Sequence, residues 1–279
     1  MKIMAIALIA LNFANADFLF SHKADYGACF EELQKMLPSA SDNKETAEVC
    51  WRLARVCLML GDAAKDRESK RNLYAQGIAA ADQGIAANPS NHKCYMWRSA
   101  NRGRDCQTRP LPQQAAAAGQ ILSDLEKILD QLGRTDYSEA WEALSQVYIS
   151  HPLKPDDAGI SYAYRAAMTI PKDELRLSTL IWLASLLHDR DDDVSERSKT
   201  VKSNRDKYSS AQKSNTTKYA YYEGNASVPW LSSATQVSDK EEARAILRYA
   251  ESKYNACTDK TPVDRNDYLE LLKLKNKWN

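Results

Sequence analysis

Glycine is scarce in this chain, with nine in 279 residues and only nine prolines beside them. Strands and tight turns are punctuated by these two residues, so their scarcity argues against an all-β fold. No CxxC pair occurs, and the four histidines (His22, His92, His151, His188) are scattered, so the ligand spacing of a zinc site is missing. GxSxG, HExxH, Walker and glycine-rich nucleotide motifs are also absent. No enzyme activity, cofactor or metal is therefore expected. Neither sign of charge dominates: 38 basic and 37 acidic side chains leave a net charge of +1. That balance offers no broad field for nucleic acid or anionic lipid. Beyond the N-terminus no apolar run approaches the ~20 residues of a membrane span; the longest lies around 180–187.

What is present favours helix. Hydrophobic residues make up 44% of the chain and charged residues 27%, as in ordinary globular proteins. Alanine runs at 79–81 and 115–118 favour helix because alanine loses no side-chain entropy there. Apolar residues recur at three- and four-residue steps, predicting helices over 25–37, 44–60, 70–88, 92–103, 114–132, 138–150, 159–170, 174–188, 239–253 and 266–278. Pro110 and Pro112 place a loop over 105–114, and the connector after helix 138–150 spans 151–155. Gly77 and Gly84 fall inside a predicted helix, where each costs about 1 kcal/mol against alanine; close approach of a neighbouring helix would explain them.

The N-terminus has the pattern of an export signal. Lys2 precedes an apolar run over 3–13, and Ala14-Asn15-Ala16 forms a small-x-small site before Asp17. Cleavage after Ala16 would leave 263 residues (279 − 16), in the periplasm or secreted. Six cysteines remain, and an even number in an exported chain permits disulfides without revealing their pairing. Cys50 and Cys57 are seven apart on one helix, ~10 Å along its axis, too far to bridge each other; they fall on its apolar stripe.

Four tryptophans, Trp51, Trp97, Trp141 and Trp182, are spaced by 46, 44 and 41 residues, each within a similar apolar stretch. Recurrence at about 20–50 residues marks chains of stacked helical units. Trp51…Ala54 and Trp141…Leu144, the small residues Gly77 and Gly84 before Pro89, and Ala166 before Pro171 resemble the tetratricopeptide (TPR) pattern. A narrower likeness covers 49–190. Trp51-Arg52-Leu53-Ala54-Arg55, Tyr74-Ala75-Gln76-Gly77, Asn88-Pro89 and the run 95–104 resemble the family of regulator-of-microtubule-dynamics proteins. That family includes TatT, the periplasmic TPR protein associated with TRAP-type solute transporters. The resemblance implies an all-α, right-handed solenoid of TPR-like antiparallel helix pairs that acts by binding. With the export signal it points to the periplasmic branch.

The domain expectation is a signal over 1–16, a repeat domain over 17–190, a charged and aromatic loop region over 191–238, and C-terminal capping helices over 239–279. In a TPR-like unit the residues one and five after each tryptophan tend to face the concave groove. That selects Arg52, Arg98, Arg102, Glu142 and Gln146, with Tyr95 beside them. Arginines can clamp a carboxylate in bidentate fashion; the plainer reading is surface ion pairing worth under about 1 kcal/mol. Trp51, Trp141 and Trp182 read as core. Tyr219, Tyr221, Tyr222 and Trp230 either fold back over an open end of the helices or contact a partner. The acidic run at 189–193 lacks the Gly and Glu of a calcium loop, and its neighbours Arg190 and Arg197 read as a solvated ion-pair region. The expected function is capture of a protein partner, such as a periplasmic solute-binding protein, or of a small solute. A self-associating scaffold and an enzyme on an unrecognised helical fold are the alternatives, and homo-oligomerisation stays open.

Overall fold

The computed structural model describes residues 11–151, 156–211, 214–225, 227–232 and 237–278. Most of the apolar leader run, part of the 151–155 connector and positions 212–213 and 233–236 lie outside the described residues. Among the described residues every regular element is a helix and no strand occurs. The chain divides into two compact units, Met1–Lys127 and Ile128–Asn279.

The N-terminal unit begins with α1 (Ala14–Phe18), continues through a π-helical turn (Leu19–Lys23), and then holds α2 (Tyr26–Met36), α3 (Asn43–Ala63), α4 (Arg67–Ala87), α5 (His92–Gln107) and α6 (Leu111–Glu126). Four starts are fixed by side-chain caps that satisfy otherwise orphaned N–H groups. Asp25 accepts from Ala28 N at 3.0 Å, Asp42 from Glu45 N at 2.7 Å, Asp66 from Ser69 N at 2.8 Å and Asn91 from Lys93 N at 3.1 Å. The α3 stripe of Val49, Leu53 and Val56 is buried against Cys29 and Leu33 of α2. Each such side chain contributes about 1.5–3 kcal/mol over leaving it in water.

The gap predicted between helices 44–60 and 70–88 and the loop predicted across 105–114 are both shorter in the structure. α3 runs on to Ala63, with Gly61 seated against the ring of Tyr74, whose hydroxyl donates to Asp62 at 2.8 Å. α6 begins at Leu111, with Pro112 in its first turn, where a missing N–H costs no helical bond.

The glycines of α4 lie where the sequence placed close contacts. A Cβ on Gly77 would meet Asn101 Oδ1 at 2.3 Å, and one on Gly84 would meet Cys94 Sγ at 2.6 Å and Cys50 Cβ at 2.8 Å. Opposite Gly77, the buried Asn101 of α5 donates to Ala54 O of α3 at 2.9 Å, so three helices close on one another there. Gly84→Ala therefore sets two effects against each other: helix propensity gains about 1 kcal/mol, while overpacking costs about 1–3 kcal/mol. The clash wins, because Cys50 Cβ is anchored to its backbone. A net loss of up to about 2 kcal/mol in urea unfolding is expected, and a stabilised variant would show that α4 can move aside.

The C-terminal unit contains α7 (Ser138–Ser150), α8 (Asp156–Met168), α9 (Leu177–Arg190), α10 (Val194–Ser210), the short α11 (Asn215–Tyr219), a 3₁₀ turn (Tyr222–Asn225), α12 (Asp239–Ala256) and α13 (Pro262–Trp278). Its core joins Tyr164 of α8 to Leu177, Leu180, Leu183 and Leu187 of α9, Ile246 and Leu247 of α12 and Leu271 of α13. The start of α12 carries a capping box, with Ser238 and Glu241 satisfying each other's backbone N–H. At the far end of the chain Trp278 stacks on His188 at 4.1 Å.

Two expectations fail in this unit. The stretch read as loop from 191 onward contains the 17-residue helix α10. Its inward face is Arg197, Val201 and Asn204, spaced i, i+4 and i+7, with Tyr208 one turn further on, and a face with one aliphatic residue leaves only a weak hydrophobic period to detect. The ion pairs of Arg190 and Arg197 are not solvated either. Arg197 is fully buried among Glu242, Asp239 and Tyr164, and Arg190 reaches Glu223 at 2.6 Å and Asp239 at 2.7 Å. Glu223, Asp239 and Glu242 are themselves buried, so carboxylates brought from distant elements draw both arginines inward.

Candidate functional site

Two charged clusters in the N-terminal unit hold four of the sequence-predicted groove residues. The first lies on α3. Its Arg52 grips Asp17 of α1, with Nε 3.0 Å from Oδ1 and Nη2 3.0 Å from Oδ2, while Arg55 Nη2 donates to Oδ1 at 3.0 Å. Arg52 Nη1 also donates to Glu48 at 2.8 Å, and the same carboxylate accepts from Trp51 Nε1 at 2.8 Å and Asn91 Nδ2 at 3.0 Å. Aromatic rings sandwich the guanidiniums: Arg52 lies 4.0 Å from the Phe13 ring centre and 4.3 Å from Trp51, and Arg55 lies 3.7 Å from Phe20. Lys93 sits over Trp51 at 4.5 Å. Burial works against charge on Asp17 and Glu48, but hydrogen bonds from the neighbouring donors outweigh it and hold both carboxyls below their ordinary range.

In the second cluster Arg98 and Arg102, one turn apart on α5, converge on Asp124 of α6. Arg98 makes two bonds to that carboxylate, at 3.0 and 2.5 Å, and Arg102 one at 2.8 Å. Arg98 also reaches Asp82 of α4 at 2.6 Å. Burial disfavours the Arg98 cation, yet its bonds to Asp124 and Asp82 raise its pKa above the ordinary value. Tyr95 is buried, donates its hydroxyl to Pro89 O at 3.2 Å, and lies under Arg98. Arg52 belongs to the first cluster and Arg98 and Arg102 to the second, and each of these guanidiniums is engaged by a carboxylate of its own chain.

In the C-terminal unit Glu142 accepts from Arg176 Nη2 at 3.1 Å and Thr179 Oγ1 at 2.5 Å, and the exposed Gln146 donates weakly to it at 3.4 Å. Arg176 holds left-handed backbone (φ 41°) at the entry to α9 and also pairs with Glu139 at 2.6 Å. Tyr219, Tyr222 and Trp230 fold back onto the unit's own core. Tyr219 lies 4.9 Å from the Trp141 ring and 5.4 Å from Tyr222, and Trp230 donates to Glu242 at 2.6 Å. Tyr221 stays half-buried beneath Lys207. The tryptophans read as core are so placed: Trp51 and Trp141 are buried, and the partly buried Trp182 donates to Ser145 at 2.9 Å.

Asp17 and Asp124 were missed from sequence. Asp17 lies 35 residues from Arg52, and no local pattern links the two. Asp124 did leave a signal, an acidic residue three after Ile121 on the apolar side of α6, opposite two arginines spaced i, i+4.

All six cysteines are free thiols. Burial pushes Cys29 and Cys50 up to about 11 and Cys57 and Cys94 up to about 12, which leaves them unreactive. Among the described residues no three His, Cys, Asp or Glu side chains are grouped to hold a metal ion, and no helix is long and apolar enough to cross a membrane. A shallow surface recess between α3, α4 and α5 is lined by Asp62, Lys70, Tyr74, Arg104, Gln107 and Thr108, none of them a predicted groove residue.

The family model described as Regulator of microtubule dynamics protein 1-3 matches residues 12–113, a stretch that runs from the segment before α1 to the first turn of α6. The α3 cluster lies wholly within it, whereas Asp124 lies outside. No curated protein matches the chain.

Proposed function

We infer that this chain is an exported, periplasmic helical-repeat protein that binds a protein partner or small solute on the inner faces of right-handed, TPR-like helix pairs, in association with a solute transporter. The observation that carries the reading is the succession of helices that fold back on their neighbours through short links, α3 on α4, α4 on α5 and α7 on α8. Stacked hairpins of this kind present side chains from successive first helices along one surface, which suits them to binding. The family match over residues 12–113 supports a relationship to the regulator-of-microtubule-dynamics proteins, and the tryptophan spacing supports the repeat. Export rests on Lys2, the apolar run and Ala14-Asn15-Ala16. Ala16 is 1% exposed within α1, so cleavage after it has to precede folding.

The test is fractionation of cells producing the full chain, N-terminal sequencing, and capture from the envelope fraction with mass spectrometry for proteins and small molecules. The expected result is a periplasmic protein beginning at Asp17 that retains one partner or solute in stoichiometric amount. An uncleaved chain in the cytoplasm would overturn the export reading, and a cleaved protein that retains nothing would overturn the binding reading.

Internal clamping changes what arginine substitutions can report. Replacing both Arg98 and Arg102 by alanine strands Asp124, whose side chain is 3% exposed, without a cation. A loss of about 2–4 kcal/mol in urea unfolding is expected, below the full penalty of a wholly buried pair because both arginines are partly solvated. Adding Asp124→Ala should recover most of it, and if it does not, the clamp is not what α5 and α6 share.

A further inference from the structure

In a recess between α12 and α13 two arginines gather with no carboxylate to receive them. Arg244, Leu247 and Arg248 of α12 and Lys275 and Trp278 of α13 line about 120 Å³ of space. Leu247 and Trp278 are buried and supply its apolar surface. Trp278 is fixed in place: its indole stacks on His188 at 4.1 Å, and its main-chain carbonyl accepts from Arg244 Nε at 3.0 Å. Arg244 and Arg248 repeat the i, i+4 spacing of Arg98 and Arg102, which converge on Asp124. The four acidic residues of α12 are all engaged with other groups: Asp239 with Arg190, Glu242 with Arg197, Glu241 with Ser238 in the capping box, and Glu251 with Lys275. Among the described residues neither arginine has an ion pair, and Arg248 has no hydrogen bond.

Like charges at this spacing repel along a helix, and an anion between them turns that cost into two charge-assisted contacts. A solvated arginine by itself calls for no ligand. What sets this pair apart is the preformed apolar surface beside it, which a bare hydrated ion leaves unused. We propose that the α12–α13 recess binds a small organic carboxylate, its oxygens on Arg244 and Arg248 and its hydrocarbon part against Leu247 and the Trp278 indole. Guanidinium and carboxylate match in planar, paired geometry. The space is well below the about 300–1,000 Å³ of a drug-sized site, so the occupant is small. The recess shares no residue with the predicted groove, so it extends the binding role inferred above and does not depend on export.

Isothermal titration calorimetry of the purified protein with benzoate, acetate and inorganic phosphate tests the site. Benzoate should bind saturably at millimolar concentration or below, about tenfold or more tightly than its neutral amide, benzamide. It should also outbind acetate and phosphate, which have no body to set against the apolar surface. Arg248→Gln should weaken benzoate about tenfold. Arg248 is exposed, so this variant should keep the urea midpoint of the unaltered protein. If the midpoint falls, Arg248→Lys is read in its place and should weaken benzoate severalfold, since lysine loses the planar pairing. Equal binding by the variant and the unaltered protein overturns the proposal, as does the absence of saturable benzoate binding. Phosphate or benzamide binding as tightly as benzoate overturns it too: the first would mean a bare oxyanion site, the second an apolar hole. Asn279 lies outside the described residues, so the same titration is run on a chain extended by Gly-Ser-Gly after it. Binding gained only on extension would mean that the chain's own end fills the recess, and again overturns the proposal. A failed titration leaves groove capture standing, and failed capture from the envelope leaves this site standing.

Discussion

Replacing Arg197 by methionine is expected to destabilise the protein by about 3–5 kcal/mol, the usual penalty for removing one partner of a buried ion pair. Arg197 is fully buried on α10. It pairs with Glu242, lies 3.4 Å from Asp239, and donates to the Tyr164 hydroxyl at 2.8 Å. Burial opposes its charge, but the surrounding Tyr164 and Glu242 outweigh that and raise its pKa above the ordinary value. Without it Glu242 keeps Tyr164 and Trp230 as hydrogen-bond donors and has no cation bonded to it. Asp239 keeps Arg190. The double variant Arg197→Met/Glu242→Met removes both charges and should recover a large part of the loss, because well-packed apolar residues can replace a buried ion pair at little cost. Urea unfolding followed by circular dichroism separates the cases. A single variant within 1 kcal/mol of the unaltered protein would mean that water reaches this cluster. The inward face of α10 is this arginine with Val201, Asn204 and the partly buried Tyr208, a face poor in aliphatic contacts, so α10 should be among the first elements to lose hydrogen-exchange protection.

Trp141→Ala should cost about 3–5 kcal/mol by loss of burial plus the cavity left behind. The indole is fully buried, stacks with Tyr162 at 5.8 Å, meets Tyr219 at 4.9 Å, and donates to Thr135 O at 3.0 Å. The substitution also removes one of two donors to the Thr135 carbonyl, which keeps Arg165, and loosens the tyrosine layer that α11 adds to the C-terminal unit. A fall in melting temperature of roughly 10 °C follows for a unit of this size. Trp141→Phe should lose less, since it keeps a ring. A melting temperature unchanged by the alanine variant would show that the neighbouring tyrosines close the gap, and that the spacing of the tryptophans says little about the core.

These two residues differ in how far the sequence announced them. Trp141 belongs to a periodic apolar stretch, and one such stretch is enough to place it in a helix and inside the protein. The same holds for Val49, Leu53 and Val56, and for Gly77 and Gly84, whose positions in an otherwise strong helix pointed to a close neighbour. Arg197 had no such announcement, because a lone arginine among serines and lysines has the pattern of a solvated surface. Tyr219 and Trp230 fall between these cases: aromatic residues in a polar stretch suggested packing back over the helices or contact with a partner, and only the tertiary structure joined one to Trp141 and the other to Glu242.

The chain's local order determined that it is helical, where most helices lie, and which stripe of each turns inward, because those properties depend on residues three and four apart. Which charged groups meet was decided by the tertiary structure. The bonds of Arg52 to Asp17, of Arg98 and Arg102 to Asp124, and of Arg197 to Glu242 span 22 to 45 residues. The energy of an ion pair depends on separation and burial in space, and neither quantity is written in the spacing of residues along the chain.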